Sequence, residues 1–140
     1  MSRAPRFKIA DTAQQIVGGF LLAGPFVVTE EVWRLAATMT WLHGLAAVAL
    51  VGAIGYGALY GADDDRDPDV EAEVGGVPLR FLSLMGVAFG SVAVLATLVA
   101  APDHFLADVP ADQHLAVTVR AISVGAIFSV VGAATADSVF

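Results

Sequence analysis

The amino-acid sequence predicts an all-α protein, a polytopic transmembrane bundle of four helices. The chain is 57% hydrophobic with a mean hydropathy of +0.75, and short polar segments separate four apolar stretches rich in glycine and alanine. These stretches cover residues 16–28, 41–61, 81–101 and 115–134. Three of them approach the roughly 20 residues that an α-helix needs to cross a hydrocarbon core of about 30 Å. Residues 1–140 are therefore expected to form a single integral membrane domain in contact with the lipid bilayer.

The first helix is predicted over residues 11–37. Its strictly apolar part, residues 16–28, is too short to span a bilayer, so the helix must include residues on both sides. This choice places Glu30 and Glu31 inside the helix, near its far end. Pro25 lies within the same helix and removes one backbone hydrogen bond, which predicts a kink.

The other three helices are predicted over residues 39–61, 79–101 and 114–136. Between the second and third helices lies an acidic loop, residues 62–78, in which carboxylates crowd together with proline and a pair of glycines. Such a segment cannot bury a core, so it is predicted to be mobile and solvated. It lacks the glycine and terminal glutamate of an EF-hand at the required positions, and no metal site is assigned to it.

The basic residues predict the orientation of the bundle. One side of the membrane receives five of them, Arg3, Arg6, Lys8, Arg66 and Arg80. Arg34 falls near the opposite side. Because Lys and Arg favour cytoplasmic loops, the N-terminus, the C-terminus and the acidic loop are predicted to be cytoplasmic in a multi-pass protein of the cell membrane.

The charge balance and the absence of cysteine exclude several classes of function. Fourteen acidic residues against seven basic ones give a net charge of -7, which argues against a nucleic-acid partner. Without cysteine there are no disulfides, thiolate metal sites or cysteine nucleophiles. Acidic, aspartate-rich loops joined to Ala-, Val- and Gly-rich helices favour a halophilic, archaeal source.

Small residues four apart predict where the helices pack, because helices in lipid associate by close backbone approach. The second and third helices carry the pairs Gly57–Gly61 and Gly86–Gly90, and the fourth carries a ladder formed by Ala121, Gly125, Ser129 and Ala133. Four short glycine-rich helices would leave some of these faces unmatched within one chain. The sequence therefore predicts a homo-oligomer.

Ionisable residues within or close to the spans form a candidate intramembrane polar cluster: Glu30, Glu31, Arg34, His43 and Arg120. A charge at the centre of a membrane helix costs about 2.5 to 3.5 kcal/mol, so each should have a partner, face the interior or lie near the surface. Glu30 and Arg34 can pair on one helix face. Glu31 and Arg120 are expected to pair between the first and fourth helices, with His43 at a similar depth.

This cluster has two interpretations. In the first, an interfacial ion pair with a nearby histidine fixes the register of the first and fourth helices. In the second, Glu31, His43 and Arg120 handle protons or cations, because a carboxylate and an imidazole in a membrane cavity can exchange protons near neutral pH.

The segment from Phe20 to Trp33 resembles a family of small integral membrane proteins, domain of unknown function 2391. That family pairs a proline in a helix with a following Thr-x-Glu-x-Trp element, which Pro25, Thr29, Glu31 and Trp33 match. The resemblance implies a four-span membrane fold and singles out Glu31 and Trp33. It implies no activity.

Catalytic signatures are missing from the sequence. His104 and His114 lie ten residues apart, without an H-E-x-x-H pair or a third spaced ligand. No serine lies in a G-x-S-x-G element, and no phosphate-binding loop occurs. The chain is therefore predicted to be a non-enzymatic, oligomeric membrane component without cofactor or metal. The alternative is a small proton- or cation-linked channel or transporter subunit.

Overall fold

The computed structural model describes residues 9–61 and 73–139, and these fold as an all-α chain, as the sequence predicts. The α-helices in this part are α1 (Ile9–Val27), α2 (Glu30–Thr38), α3 (Trp41–Tyr56), α4 (Leu79–Leu98), α5 (Ala101–Phe105) and α6 (His114–Val139). A π-helical turn, Gly57–Gly61, extends α3, and a 3-10 turn, Ala111–Gln113, leads into α6. Helix α6 packs against α1, α2, α3 and α4, so it forms the centre of the fold.

Three helical segments in the described residues are long and apolar enough to cross a membrane: Trp41–Tyr60, Leu79–Leu98 and Ala111–Asp137. A fourth span results if α1 and α2 are counted together as one bent span. The lengths agree with the hydropathy pattern of the sequence and indicate a membrane location.

The continuous helix predicted over residues 11–37 is interrupted. Helix α1 ends at Val27, α2 begins at Glu30, and the two axes differ by 78°. The bend therefore follows Pro25 and does not lie at it. Thr29 has an extended backbone, and both its amide and its hydroxyl donate to the carbonyl of Phe26, at 3.3 and 2.9 Å.

The indole of Trp33 stabilises this bend from the other side. Its Nε1 donates to the carbonyl of Val27 over 2.8 Å in a buried position. Carbonyls at the end of a helix have no partner within the helix, and burying one without a hydrogen bond is unfavourable. Trp33 also stacks on Phe105 of α5 at 6.0 Å between ring centroids, so α2 and α5 together cover this end of α6.

Only residues 73–78 of the acidic loop predicted over residues 62–78 can be compared with the structure, because residues 62–72 lie outside the described part. Its last six residues form a tight antiparallel hairpin, with β1 (Glu73–Val74) paired to β2 (Val77–Pro78). Gly75 and Gly76 have φ of +60° and +85°, which a two-residue type I′ turn requires at both positions. Residues 73–78, which were part of the predicted mobile and solvated loop, form a hairpin instead.

Helices α1 and α6 approach closely where two glycines face each other. A Cβ atom built on Gly18 would overlap the carbonyl oxygen of Gly132, and one built on Gly132 would overlap that of Gly18. One helical turn further on, the Ser129 hydroxyl donates to the Gly19 carbonyl at 3.2 Å. This contact therefore needs glycine on both helices, as expected for helices that pack by backbone approach.

Candidate functional site

A buried network of charged and polar side chains joins the beginning of α1, the beginning of α4 and the end of α6. At its centre the guanidinium of Arg80 binds the carboxylate of Asp137, with Nη1 2.9 Å from Oδ1 and 3.0 Å from Oδ2. Arg80 is 1% exposed and Asp137 5% exposed. The second terminal nitrogen of Arg80, Nη2, lies 3.4 Å from Oδ2 of Asp11, whose side chain is 21% exposed.

Neutral side chains extend this network along α1 and α4. Gln15 donates from Nε2 to Oδ2 of Asp137 at 3.3 Å and accepts at Oε1 from the Ser83 hydroxyl at 2.7 Å. The hydroxyls of Ser83 and Thr12 are 3.0 Å apart. Each of the three helices is therefore held to the other two by more than one polar contact.

Helix geometry explains why these residues meet. Asp11 and Gln15 lie four residues apart on α1, and Arg80 and Ser83 lie three apart on α4, so each pair occupies one helix face. Asp137 lies in the last turn of α6. The ends of the three helices coincide, which brings all five side chains into one layer.

The helix dipoles destabilise both central charges, those of Arg80 and Asp137. A cation at the start of a helix and an anion at the end of a helix both oppose the dipole. Arg80 lies in the first turn of α4 and Asp137 in the last turn of α6. Their mutual bond, together with the hydrogen bond from Gln15, offsets this term as well as the loss of hydration.

With its carboxylates ionised, the part of the network that lies in the described residues carries two negative charges, on Asp11 and Asp137, and one positive charge, on Arg80. Asp137 is enclosed, whereas Asp11 reaches the surface of the protein. The network has hydrogen-bond donors and acceptors but no thiol, since the chain has no cysteine. Among the described residues, neither Thr12 nor Ser83 is bonded to a basic side chain. The chemistry of these groups allows them to join α1, α4 and α6 through charged hydrogen bonds. Within the described residues, no group of three or more His, Cys, Asp or Glu side chains could hold a metal ion.

The residues of the sequence-predicted polar cluster lie elsewhere and do not assemble as expected. Glu30 and Arg34 do form an ion pair, on the exposed face of α2. His43 forms a capping box at the start of α3: the Thr40 amide donates to its Nδ1 at 3.0 Å, and its own amide donates to the Thr40 hydroxyl at 3.4 Å. His43 is thus a capping residue in this structure.

The expected pair between Glu31 and Arg120 is not formed. Glu31 is exposed in the first turn of α2, and no ion pair involves it within residues 9–61 and 73–139. Arg120 donates from Nη1 to the carbonyl of Met39 and from Nε to the carbonyl of Ala116 at 3.2 Å. The reason is the bend after Val27, which brings the C-terminal end of α2 to Arg120 and leaves Glu31 at the other end of that helix.

The small residues singled out in the sequence divide into two groups. Gly125 and Ser129 pack inside the chain: a Cβ atom on Gly125 would lie 2.8 Å from Cγ1 of Val92 on α4, and Ser129 binds α1. By contrast, a Cβ atom on Gly57, Gly86 or Gly90 would meet no atom within 4 Å. Gly61 ends the π-helical turn after α3.

The central residues of the network were not among the sequence-predicted site residues. Arg80 was counted only as a loop cation for orientation, and Asp11, Gln15 and Asp137 were not considered as partners. One signal was present: Asp137 is an acidic residue in the last turn of an otherwise apolar helix, on the side where Arg80 begins another helix. A buried charge of that kind requires a partner.

Comparison of the chain with protein-family models, with curated proteins and with solved structures finds no match. The site is therefore interpreted from its own chemistry.

The Arg80–Asp137 bond predicts a specific pattern in a double-mutant cycle. Removing either partner, as Arg80→Gln or Asp137→Asn, leaves polar groups buried without their bond and should lower the free energy of unfolding by about 3 to 5 kcal/mol. The double variant should be more stable than the sum of the two losses predicts. Unfolding in mixed micelles, followed by circular dichroism, measures all four proteins.

The exposed Glu30–Arg34 pair provides the matched control. It also joins a carboxylate to an arginine, but its side chains are largely exposed, so Glu30→Gln and Arg34→Gln should change stability by about 0.5 kcal/mol or less. Equal losses at both pairs, or strictly additive losses at Arg80 and Asp137, would show that the buried network does not hold the helices together.

Proposed function

We propose that this chain is a multi-pass protein of the cell membrane with four spans, the first formed by α1 with its bent continuation α2. The proposal is supported by the length and hydropathy of α3, α4 and α6 and by the combined hydropathy of α1 and α2. The position of the buried charges is consistent with it. They lie between helices, at helix ends, where a charge in a membrane protein costs least.

In the proposed orientation both termini and residues 62–78 are cytoplasmic, and the Arg80–Asp137 network lies at the cytoplasmic end of the bundle. The basis is the distribution of Arg and Lys along the sequence. The bend between α1 and α2, with α5, then lies toward the outer surface. The amphipathic α2, which buries Val32, Trp33 and Ala36, completes the first span on that side.

Thiol labelling tests this orientation. Single cysteines replace Asp67 and Asp108, and a membrane-impermeant reagent is applied to intact cells. Because the chain has no cysteine of its own, each signal reports one site. Asp108→Cys should be labelled and Asp67→Cys should be labelled only after lysis. Labelling of Asp67→Cys in intact cells would reverse the proposed orientation.

We further propose that the protein is a non-enzymatic component of a membrane assembly and that it forms a homo-oligomer through α4. The observation that carries this proposal is the open face at Gly86 and Gly90. Glycines four apart allow two membrane helices to approach closely. Close approaches within the described residues involve other glycines, among them Gly18, Gly132 and Gly125.

The surroundings of this open face favour a second helix as its occupant. Gly86 and Gly90 line a shallow groove of about 410 Å³ between α1 and α4, with Ile16 and Phe20 along one wall and Val94 on the other. Glycine-floored grooves with apolar walls accept a ridge of side chains from a neighbouring helix. A second copy of this chain presents the same glycine face and can dock against it in a symmetric manner.

Transport of a proton or a cation receives less support. That alternative relied on a shared cavity for Glu31, His43 and Arg120, whereas His43 caps α3 and Arg120 binds backbone carbonyls. The resemblance to domain of unknown function 2391 is compatible with the proposal, since Thr29 and Trp33 stabilise the bend between α1 and α2. It does not add an activity.

Substitution at Gly90 tests the proposed assembly. Gly90→Leu places a large side chain in the groove, where the monomer has room for it, so the fold should persist while the oligomer dissociates. Ala49→Leu adds similar bulk at an exposed position of α3 and serves as the control. The mass of each protein in detergent micelles is measured by light scattering together with its thermal stability.

The wild type and Ala49→Leu should share one mass above that of the monomer, and Gly90→Leu should shift toward the monomer. A monomeric wild type, or an oligomer that tolerates Gly90→Leu, would exclude assembly through this face of α4.

A further inference from the structure

A second cleft lies between α3 and α6. Its volume is about 770 Å³, and its walls are mostly apolar, with Leu45 and Val48 from α3 and Val119 from α6. Its lining also includes Trp41, which is 70% exposed, and the charged residues Arg120 and Asp112. The cleft therefore combines an apolar channel with a cation.

Arg120 has unused binding capacity in this cleft. A guanidinium offers five N–H donors, and the contacts of Arg120 are to two backbone carbonyls, those of Met39 and Ala116. Within the described part of the chain, no carboxylate lies within ion-pair distance of it. A cation with remaining donors beside apolar walls is complementary to an anion that carries an apolar chain.

We propose that this cleft binds one glycerophospholipid, with the phosphate on Arg120 and an acyl chain along Leu45, Val48 and Val119. The inference rests on the proposed membrane location. The Arg120 guanidinium reaches Met39, just before α3 begins, so its height in the membrane is that of the helix end and not of the bilayer centre. Trp41 begins the same helix, and tryptophan concentrates at the level of lipid headgroups.

Asp112 limits which headgroups fit. It lies on the 3-10 turn before α6 and lines the same cleft. Its negative charge opposes a second anionic group next to the phosphate, so the site favours a headgroup with a single phosphate. A neutral glycerolipid of the same chain length would occupy the apolar walls but would lack the group that Arg120 binds.

Native mass spectrometry of the full-length protein in detergent tests this proposal. The probes are phosphatidylglycerol and diacylglycerol with identical acyl chains. The wild type should bind phosphatidylglycerol more tightly than diacylglycerol, and Arg120→Gln should lower the phosphatidylglycerol affinity at least about tenfold, as loss of a charge-assisted hydrogen bond predicts. Arg120→Lys should restore part of the affinity, whereas Arg34→Gln, which removes a surface arginine, should leave it unchanged.

A second variant is needed because Arg120→Gln also removes the hydrogen bond to the Met39 carbonyl and can thereby lower the stability of the fold. Val48→Trp keeps Arg120 but fills the channel from an exposed position, and it should also reduce binding. Equal affinity of the wild type for the two lipids, or unchanged phosphatidylglycerol binding in both Arg120→Gln and Val48→Trp, would overturn the proposal. An alkaline carbonate wash tests the proposed membrane location separately. A wild type that this wash releases from membranes would show that the protein does not span the bilayer.

Discussion

The bond between Arg80 and Asp137 is the interaction on which the arrangement of the long helices depends. It joins the start of α4 to the end of α6, and through Asp11 and Gln15 it also holds the start of α1. Membrane helices gain little from the hydrophobic effect when they associate, since lipid is as apolar as their side chains. A buried charged bond gives a direction and a register that apolar contacts lack. Misalignment of α6 by one residue would separate Asp137 from Arg80.

The rest of the α1–α6 interface follows from that register. With the charged ends fixed, Gly18 faces Gly132 and the Ser129 hydroxyl meets the carbonyl of Gly19. At the other end of α1 and α6 the side chains pack in an apolar cluster. There the indole of Trp33 donates a hydrogen bond to the carbonyl of Val27. Among the described residues, the buried charged side chains, Arg80 and Asp137, therefore lie together at one end of the fold.

Hydropathy predicted the long helices because length and apolar composition are local properties of the chain. The bounds of α4 and α6 agree with the prediction to within a few residues. The bend after Val27 was not predicted, because it depends on the indole of Trp33 reaching a carbonyl six residues earlier. The segment quoted for its resemblance does contain the residues that stabilise this bend, Thr29 and Trp33.

The candidate site was harder to predict than the helices. Glu31 and Arg120 were paired from their estimated depth in a straight helix, and the bend invalidates that depth. Arg80 and Asp137 are 57 residues apart in the sequence, so their bond is not a local property of the chain. Similarly, spacing identified Gly86 and Gly125 alike as packing residues. Only the three-dimensional arrangement distinguishes Gly125, which contacts Val92, from Gly86, which faces outward.

The central claim, a direct bond between Arg80 and Asp137, is tested most directly by solid-state NMR of the protein in lipid bilayers. Dipolar recoupling between guanidinium nitrogens labelled with ¹⁵N and carboxylate carbons labelled with ¹³C reports distances of a few ångströms, and Asp137→Asn assigns the signal. We expect strong dephasing of the Asp137 carboxylate carbon by Arg80, which disappears in Arg80→Gln. An Asp137 signal that shows no dephasing in a folded wild-type sample would contradict the central claim.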